Sequence, residues 1–326
     1  MGGKGSDSMG RIKPLYDGIR LNVAITSDIH VDTGAKTNKN RMKIIKRSLK
    51  DCEKSARPFD AYITVGDTTS RGLTENWECA KKCFEGRKPA NEVVFTLGNH
   101  DTWDENKYLG YDNAIKNYYK YCKEICSQNI EKPYFEKIIG GYYFIFLGST
   151  KVPEDEDCAA LGELELCWLK SKLDSASKTN KPVFIFCHQS INGNHGLPRT
   201  WAPEEEDWKP EIGGIGSDSD KVMEIISGYK NVYYFSGHSH MGLCGENNLK
   251  KEGFASFEQH GGVSFINLPC LTRPCHHGED DRTGFGVLLE VYDDRVVIRP
   301  RRFERKKMNR KVIIKDGKPY FENKLD

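Results

Sequence analysis

The stretch that decides the fold of this chain is Val93-Val94-Phe95-Thr96-Leu97-Gly98-Asn99-His100-Asp101. Its first five residues form an apolar run that is typical of a buried strand. The residues that follow place an amide, an imidazole and a carboxylate at the end of that strand. Because open α/β sheets carry their sites at the carboxyl ends of strands, the pattern predicts a functional loop here.

Four other apolar runs end in the same way, with polar side chains directly after a predicted strand. These runs are Leu21–Thr26, Ala61–Val65, Val183–Cys187 and Val232–Ser236. The side chains that the five strand ends deliver are Asp28, His30, Asp67, Asn99, His188, His238 and His240. A set of oxygen and imidazole ligands suits divalent metal ions. The sequence therefore predicts a site for two such ions.

Helical patterns alternate with the first strands. Apolar side chains recur at helical spacing over Arg41–Ala56 and Glu75–Phe84, and the resulting β-α-β-α-β order indicates layers of sheet and helix. Gly140-Gly141 separates two strand-like runs and predicts a hairpin. The last third is rich in strand patterns and ends in a second hairpin over Lys311–Phe321. We predict an α/β fold of two packed mixed sheets with helices outside.

The spread of the ligand loops favours one catalytic domain in this chain of 326 residues. The loops run from residue 28 to residue 240 and must converge, so they cannot belong to separate domains. We assign residues 1–18 to a flexible leader, residues 19–303 to the catalytic domain and residues 304–326 to a C-terminal β-hairpin or tail.

Charge and cysteine content narrow the class of protein. A net charge of +2 argues against electrostatic binding of nucleic acid or of a membrane surface. No run approaches the ~18 apolar residues of a membrane span, and no apolar signal segment precedes the first strand. The 11 cysteines are scattered and odd in number, which indicates reduced thiols and a cytoplasmic location. Oligomeric state is left open.

The ligands divide into two sets around one shared oxygen. Two ions about 3.5–4 Å apart need a bridging ligand, and Asp67, central in chain order among the oxygen donors, is the predicted bridge. The predicted sets are Asp28, His30 and His240 for one ion, and Asn99, His188 and His238 for the other. Two pairs of ligands are two residues apart, so we expect each pair to point to one side of an extended segment. Three of the loops have a glycine before the ligand, which is expected to let the backbone turn sharply.

Such a pair of ions suits the hydrolysis of a phosphate ester. The ions hold a phosphoryl oxygen and lower the pKa of bound water toward ~7, so that hydroxide can attack phosphorus in line. The departing oxygen then needs a proton. His100 follows the ligand Asn99 but is not assigned to an ion, and it is the predicted general acid. We expect Asp101 to hold the His100 imidazolium.

These five blocks, in this order, resemble the pattern of the calcineurin-like metallophosphoesterases, which reads D-x-H, G-D, G-N-H-D/E, H and G-H-x-H. The resemblance spans roughly residues 20–303. It implies a four-layer α/β/β/α sandwich, a dinuclear site that holds iron, manganese or zinc, and hydrolysis of phosphoesters. It also supports the bridging role of Asp67 and the acid role of His100. Leu161–Leu169, with the strand after it, resembles the bacterial branch that contains class III cyclic-nucleotide phosphodiesterases.

Departures from other branches narrow the resemblance. Purple acid phosphatases have a tyrosine at the position of Thr69. Protein Ser/Thr phosphatases read G-D-x-V-D-R-G and G-N-H-E, whereas Gly66–Gly72 reads GDTTSRG and Asp101 replaces the glutamate. Arg71 falls at the offset of their phosphate-binding arginine, although its neighbours differ. These differences argue against a protein phosphatase.

The sequence thus predicts a phosphodiesterase acting on a small-molecule diester, such as a cyclic nucleotide. A phosphomonoesterase is the alternative, because a monoester dianion would gain from an arginine clamp and Arg71 is a candidate. An alternative of a different class is a scaffold that keeps the fold without catalysis. That alternative is disfavoured because the chain keeps every ligand and the acid histidine.

Other residues on the loops carry two interpretations. His195, His276 and His277 either line the pocket or lie on the surface. Trp201 and Trp208 either stack on a base or pack the long loop that contains them.

Overall fold

The structure is a computed structural model. It describes residues 11–102, 110–153, 155, 157–201, 209, 211–240, 256–273, 283–303, 306–307 and 310–323. The α-helices of these residues are α1 (Ala35–Glu53), α2 (Thr74–Phe84), α3 (Tyr111–Cys126), α4 (Glu163–Ser177) and α5 (Ser219–Ser227). The strands are β1 (Leu21–Ser27), β2 (Phe59–Val65), β3 (Ala90–Phe95), β4 (Phe135–Ile139), β5 (Tyr142–Phe146), β6 (Val183–Phe186), β7 (Val232–Ser236), β8 (Phe257–His260), β9 (Val263–Asn267), β10 (Phe285–Val291), β11 (Arg295–Arg302), β12 (Lys306–Lys307), β13 (Arg310–Lys315) and β14 (Lys318–Asn323).

The first sheet has the strand order β14-β13-β11-β10-β1-β2-β3, and β12 pairs with β11. Strands β1, β2 and β3 are parallel, whereas β10 and the strands beyond it pair antiparallel. The hairpin predicted near the C-terminus is β13–β14. Because β13 pairs with β11, this hairpin extends the first sheet.

The second sheet has the order β4-β5-β6-β7-β9-β8. Its four central strands are parallel, and an antiparallel strand closes each edge. The β4–β5 hairpin turns at Gly140 and Gly141, whose φ angles are 59° and 79°. Such left-handed angles cost glycine little, which explains the choice of residues in this turn.

Three hydrophobic cores stack the chain into four layers. One core lies between the two sheets and includes Val23, Ile63 and Phe186. A second packs α1, α2 and α3 on the outer face of the first sheet, and a third packs α4 and α5 on the second sheet. This arrangement confirms the predicted four-layer α/β/β/α sandwich. No described helix is long and apolar enough to cross a membrane.

The structure differs from the sequence prediction in a few elements. Helix α1 begins at Ala35, six residues before the predicted start. The prediction placed the start too late because the first turns of the helix are polar and show no apolar period. Helix α5 was not among the predicted helices, and β8 is a four-residue edge strand too short to show a pattern. Of the leader, residues 11–18 lie against the domain: Ile12 is buried, and its carbonyl accepts a hydrogen bond from Ala56.

Candidate metal centre

The loops after β1 and β2 run side by side beyond the first sheet. The amide of Asp28 donates to the carbonyl of Gly66 (3.3 Å), and that of His30 donates to the carbonyl of Asp67 (2.9 Å). In the second sheet, the amide of Gly237 donates to the carbonyl of His188 (2.9 Å). Backbone pairing thus continues past the strand ends and fixes the loops that carry the predicted ligands.

Asp28, His30 and His240 form one buried group, with ligand atoms within 4.8 Å of one another. His240 Nε2 lies 3.1 Å from Asp28 Oδ1 and 3.0 Å from His30 Nε2. His30 and Asp28 come from the first sheet and His240 from the second. The group has the composition predicted for the first ion.

Asp67, His188 and His238 form a second buried group. Asp67 Oδ2 lies 3.1 Å from His188 Nε2 and 3.6 Å from His30 Nε2. Asp67 therefore stands between the two groups, in the place that a bridging carboxylate needs. Asn99 is 9% exposed, and its Nδ2 donates to Asp157 Oδ1 (3.3 Å), which fixes the orientation of the amide.

The donor atoms fit a pair of metal ions. Asn99 Oδ1 and His238 Nε2 are buried and have no hydrogen-bond partner among the described residues. Burial of an unpartnered polar atom is costly, and a bound cation would remove that cost. The 3.0 Å approach of the His30 and His240 Nε2 atoms likewise brings two ligand nitrogens toward one point.

The protonation of the imidazoles also fits this use. The Val65 carbonyl can only accept, so His188 Nδ1, at 2.9 Å, carries a proton and directs Nε2 into the site. Burial opposes a charge on His188, but Asp67 and Asp28 outweigh it and raise its pKa to about 10. The carboxylates thus favour a positive charge between them. Burial lowers the pKa of His238 well below its usual range and keeps that ring neutral, as a ligand must be.

Strained backbone accompanies the ligands. Five of the seven predicted ligands have left-handed φ angles: Asp28 (55°), His30 (43°), Asp67 (49°), His238 (66°) and His240 (49°). Such angles are uncommon outside glycine and cost free energy. The prediction that each pair lies on an extended segment is therefore wrong. The paired ligands meet because the backbone turns at each of them.

The glycines before the ligands mainly allow neighbouring ligand loops to lie close together, rather than allow the backbone to turn. Gly66 has a φ of 72°, and a Cβ there would lie 2.3 Å from His188 Nδ1. A Cβ on Gly98 would lie 2.2 Å from the Asp67 amide nitrogen, and one on Gly237 would lie 1.9 Å from Ser27 Oγ. Since real contacts of a Cβ are not this short, a side chain at these positions would push the ligand loops apart.

The His100 ring is held at the edge of the centre. Its Nδ1 lies 3.0 Å from the carbonyl oxygen of Ser70, and the ring packs edge-on against His30 with 4.8 Å between centroids. His100 also joins His30 and Asp67 in a third group of potential ligand atoms. The predicted acid therefore lies next to the proposed bridge.

Asp101 has a different role from the predicted one. Its carboxylate accepts hydrogen bonds from the amides of Thr68, Thr69 and Gly98 and from the Thr69 hydroxyl. These bonds tie the loop after β2 to the loop after β3. The Ser70 carbonyl, and not Asp101, holds the His100 ring. Burial, together with the Asp67 charge, raises the pKa of Asp101 to about 7 despite these donors.

Sequence reasoning missed two residues that contact the ligand loops. Arg41 Nη1 donates to the His30 carbonyl (2.7 Å) and to Ser70 Oγ (3.1 Å), and Asp157 holds the Asn99 amide. Arg41 lies within a basic helix and Asp157 within an acidic run, so neither stood out from its neighbours.

The structure shows the positions of two of the loop residues for which the sequence allowed two interpretations, Trp201 and His195. Trp201 stacks on His238 with 4.2 Å between centroids, and a Cβ on Gly213 would lie 3.0 Å from its Cγ. It therefore packs the loop against the centre, as one interpretation expected. His195 is buried, and its amide donates to Glu258 Oε2 (3.0 Å), so it is not a surface histidine. Trp208, His276 and His277 lie outside the described residues.

Comparison with known proteins agrees with this geometry. The family model of calcineurin-like phosphoesterases matches residues 21–242. A dimetal phosphatase from Danio rerio has a similar fold, with a TM-score of 0.56 and 11% identity over 91% of this chain and 99% of that one. GAP50, the anchor in the inner membrane complex of Plasmodium, is also similar, with a TM-score of 0.51 and 12% identity over 87% of this chain and 85% of that one.

No curated protein sequence matches this chain significantly. The cytoplasmic location stays a prediction. The family match covers all five ligand blocks and confirms the resemblance found in the sequence. The chain belongs to the calcineurin-like phosphoesterase family.

Proposed function

We propose that the protein is a phosphoester hydrolase that depends on two transition-metal ions, iron, manganese or zinc, and that its substrate is a small-molecule phosphodiester. The observation that carries this proposal is the convergence of six of the seven predicted ligands, all carboxylates and imidazoles, beside His100, a histidine that is suited to proton transfer. Donors of this kind, buried and partly without hydrogen-bond partners among the described residues, cost stability unless they bind a cation.

Each donor has a role in this proposal. Asp28, His30 and His240 would hold one ion, Asn99, His188 and His238 the other, and Asp67 both. When bound, two such ions neutralise charge on a phosphate and lower the pKa of water. The protein's own contribution is to fix the donors through strained loops and backbone hydrogen bonds, so that little reorganisation is needed during turnover.

His100 would donate the proton that the leaving oxygen needs. A carbonyl oxygen can only accept, so the contact with Ser70 places a proton on Nδ1 and makes Nε2 the atom that exchanges a proton with the substrate. The edge of the His30 ring supports the orientation of the imidazole. A positioned general acid typically contributes ~10²–10⁴-fold to the rate.

The charge balance supports a diester over a monoester. A diester carries one negative charge, whereas a monoester dianion gains from a guanidinium that contacts it in two places. Arg41 directs Nη1 to the backbone of His30 and to Ser70, which leaves Arg71 as our candidate for such a clamp. A phosphomonoesterase is the second candidate function, and the fold shared with the zebrafish dimetal phosphatase keeps it open.

A scaffold without catalysis is the candidate from a different class, and GAP50, an anchor, shares the fold. The full set of donors argues against it. A scaffold has no need to keep unpartnered donors such as Asn99 Oδ1 in a buried, strained centre.

The test is a turnover panel on protein reconstituted separately with iron(II), manganese and zinc. We expect kcat/KM for bis-nitrophenyl phosphate to exceed that for the nitrophenyl monoester, and Arg71→Ala to leave diester turnover nearly intact. Arg20→Ala, which removes an exposed arginine paired with Asp293, is the matched control. A monoester preference that collapses in Arg71→Ala alone would establish a phosphomonoesterase, and no turnover with any metal would favour a scaffold.

A further inference from the structure

A cavity of about 580 Å³ lies between α1 and the residues Thr272, Arg273 and Thr283. No acidic side chain is among the described residues that line it. Its cationic lining residues are Lys36, Arg41, Lys43, Arg47 and Arg273. The described lining of this cavity therefore carries five cations and no acid, whereas the whole chain has a nearly balanced charge of +2.

The cavity borders the backbone of the first ligand loop. Three successive carbonyl oxygens of that loop accept hydrogen bonds from residues in or beside the cavity wall. Cys270 Sγ donates to Asp28 (3.0 Å), Thr272 Oγ1 to Ile29 (2.9 Å) and Arg41 Nη1 to His30 (2.7 Å). The cavity therefore lies next to the metal centre but contains none of its ligands.

Arg41 and Arg273 form no ion pair with a carboxylate among the described residues. Arg273 Nε is a buried donor with no hydrogen-bond partner in that part of the chain. The nearby Asp32 carboxylate accepts hydrogen bonds from the amide of Thr33 and from Asn76 Nδ2. Among the described residues, no carboxylate lines the cavity beside Arg41 and Arg273, and an anion would complement them.

A second concavity, of about 470 Å³, continues along α1 and shares Lys43 and Arg47 with the first. Its other cations are Lys39, Lys46, Lys50 and Arg87. The two concavities lie on either side of Lys43 and Arg47 and together have room for more than one anionic group.

We infer that the cavity between α1 and Arg273 binds a small molecule that carries several phosphate groups. Its volume falls in the range of ~300–1,000 Å³ that small ligands occupy. Arginine presents a planar fork that matches phosphate oxygens. A nucleic-acid strand fits less well, because proteins that bind single strands stack bases on aromatic side chains and no described aromatic residue lines either concavity. This inference concerns binding and does not depend on hydrolysis.

The test is calorimetric titration of the full-length, metal-loaded protein with inorganic tripolyphosphate. Arg273→Gln removes the guanidinium whose Nε has no hydrogen-bond partner among the described residues, and Lys43→Gln removes an exposed charge shared by both concavities. Lys221→Gln, on α5 beside the other sheet, is the matched control. Because charged hydrogen bonds are strong, we expect Arg273→Gln to weaken binding by about tenfold or more, Lys43→Gln by less and the control by under about twofold.

Two further titrations distinguish a small-ligand site in the cavity from binding at the metal centre and from a nucleic-acid site. Binding should persist in Asp67→Asn, because the cavity is distinct from the metal centre, and its loss there would overturn the inference. A single-stranded oligonucleotide that binds more tightly than tripolyphosphate through the same residues would replace the small ligand with a nucleic acid. Equal affinity of Arg273→Gln and wild type, or no binding of tripolyphosphate, would also overturn the inference. Failure of the protein to hydrolyse any ester would leave it standing.

Discussion

The two sheets contribute different ligands to the centre. The loops of the first sheet carry three oxygen ligands and one imidazole, those of Asp28, Asp67, Asn99 and His30, whereas the loops of the second sheet carry three imidazoles. The imidazoles are those of His188, His238 and His240. Two three-residue groups, one for each ion, combine residues from both sheets. Neither sheet alone therefore presents a complete site. The centre is a product of sheet packing.

The contacts within a sheet also differ from those between sheets. Within the first sheet, backbone hydrogen bonds and the Asp101 carboxylate join neighbouring ligand loops. Between the sheets, the loops approach at glycines: Gly66 lies against His188, and Gly237 lies against Ser27 and Asp28. We therefore expect substitutions at Asp67, which lies between the two groups, or at Gly237, which faces the other sheet, to reduce metal binding more than a substitution that affects one loop only.

The largest effect is expected from Asp67→Asn, because Asp67 serves both groups. A neutral amide would offset far less of the repulsion between two ions. We expect the metal content, measured by mass spectrometry, to fall from about two ions per chain to about one or fewer, with loss of turnover. Two ions per chain in this variant, or no metal in reconstituted wild type, would contradict the bridging role.

His100→Asn should reduce kcat by ~10²–10⁴ for a diester with a poor leaving group. The loss should be smaller for a nitrophenolate leaving group, which needs less protonation. Metal content should stay at the wild-type level, because the seven assigned ligands are intact. Equal rate losses for both leaving groups would contradict the acid role, and loss of metal would show that His100 is a ligand.

Gly237→Ala tests the contact between the sheets. The added Cβ would lie 1.9 Å from Ser27 Oγ and 2.6 Å from Asp28 Oδ2, so the loops must separate. We expect the free energy of unfolding to fall by ~1–3 kcal/mol and the metal affinity by about tenfold.

Gly34→Ala is the control for this variant, because a Cβ there has nothing within 4 Å. The double variant Ser27→Ala with Gly237→Ala should recover part of the loss, since the nearest clashing atom is gone. If Gly237→Ala binds metal as the control does, the two sheets can adjust and the close contact is not required.

The smallest effect is expected from Asp157→Ala, which removes a single support. The bond from Asn99 Nδ2 is 3.3 Å long, and the Asn99 oxygen itself is retained. We expect metal affinity to fall by about threefold to tenfold, with kcat per bound metal unchanged. Asp220→Ala, which removes an exposed aspartate on α5, should behave as wild type in the same titration. Identical affinities for both variants would show that Asp157 does not orient the amide.

The sequence alone was enough for the family and for the order of the candidate ligands, because each candidate follows an apolar strand pattern. The strand-end rule is local: it places Asp28 and Asp67 at one edge of the first sheet, and His188 and His238 at one edge of the second, without knowledge of how the sheets pack. The four layers followed from the same alternation of strands and helices. Local patterns could not show the first turns of α1, where the sequence is polar. Helix α5 was missed for another reason: it has only 9 residues, although Val222, Ile225 and Ile226 follow a helical period.

Tertiary structure alone decided how the ligands meet. The left-handed backbone of Asp28 and His30, the partners of Asp101 and the stacking of Trp201 on His238 arise from contacts between residues far apart in sequence. The basic cavity has the same origin, because Arg41 and Arg273 are far apart in the chain and come together only when α1 packs on the first sheet. Sequence determined which donors the centre contains, since side-chain chemistry is local. Packing decided their geometry, since distances between loops depend on how two sheets close on each other.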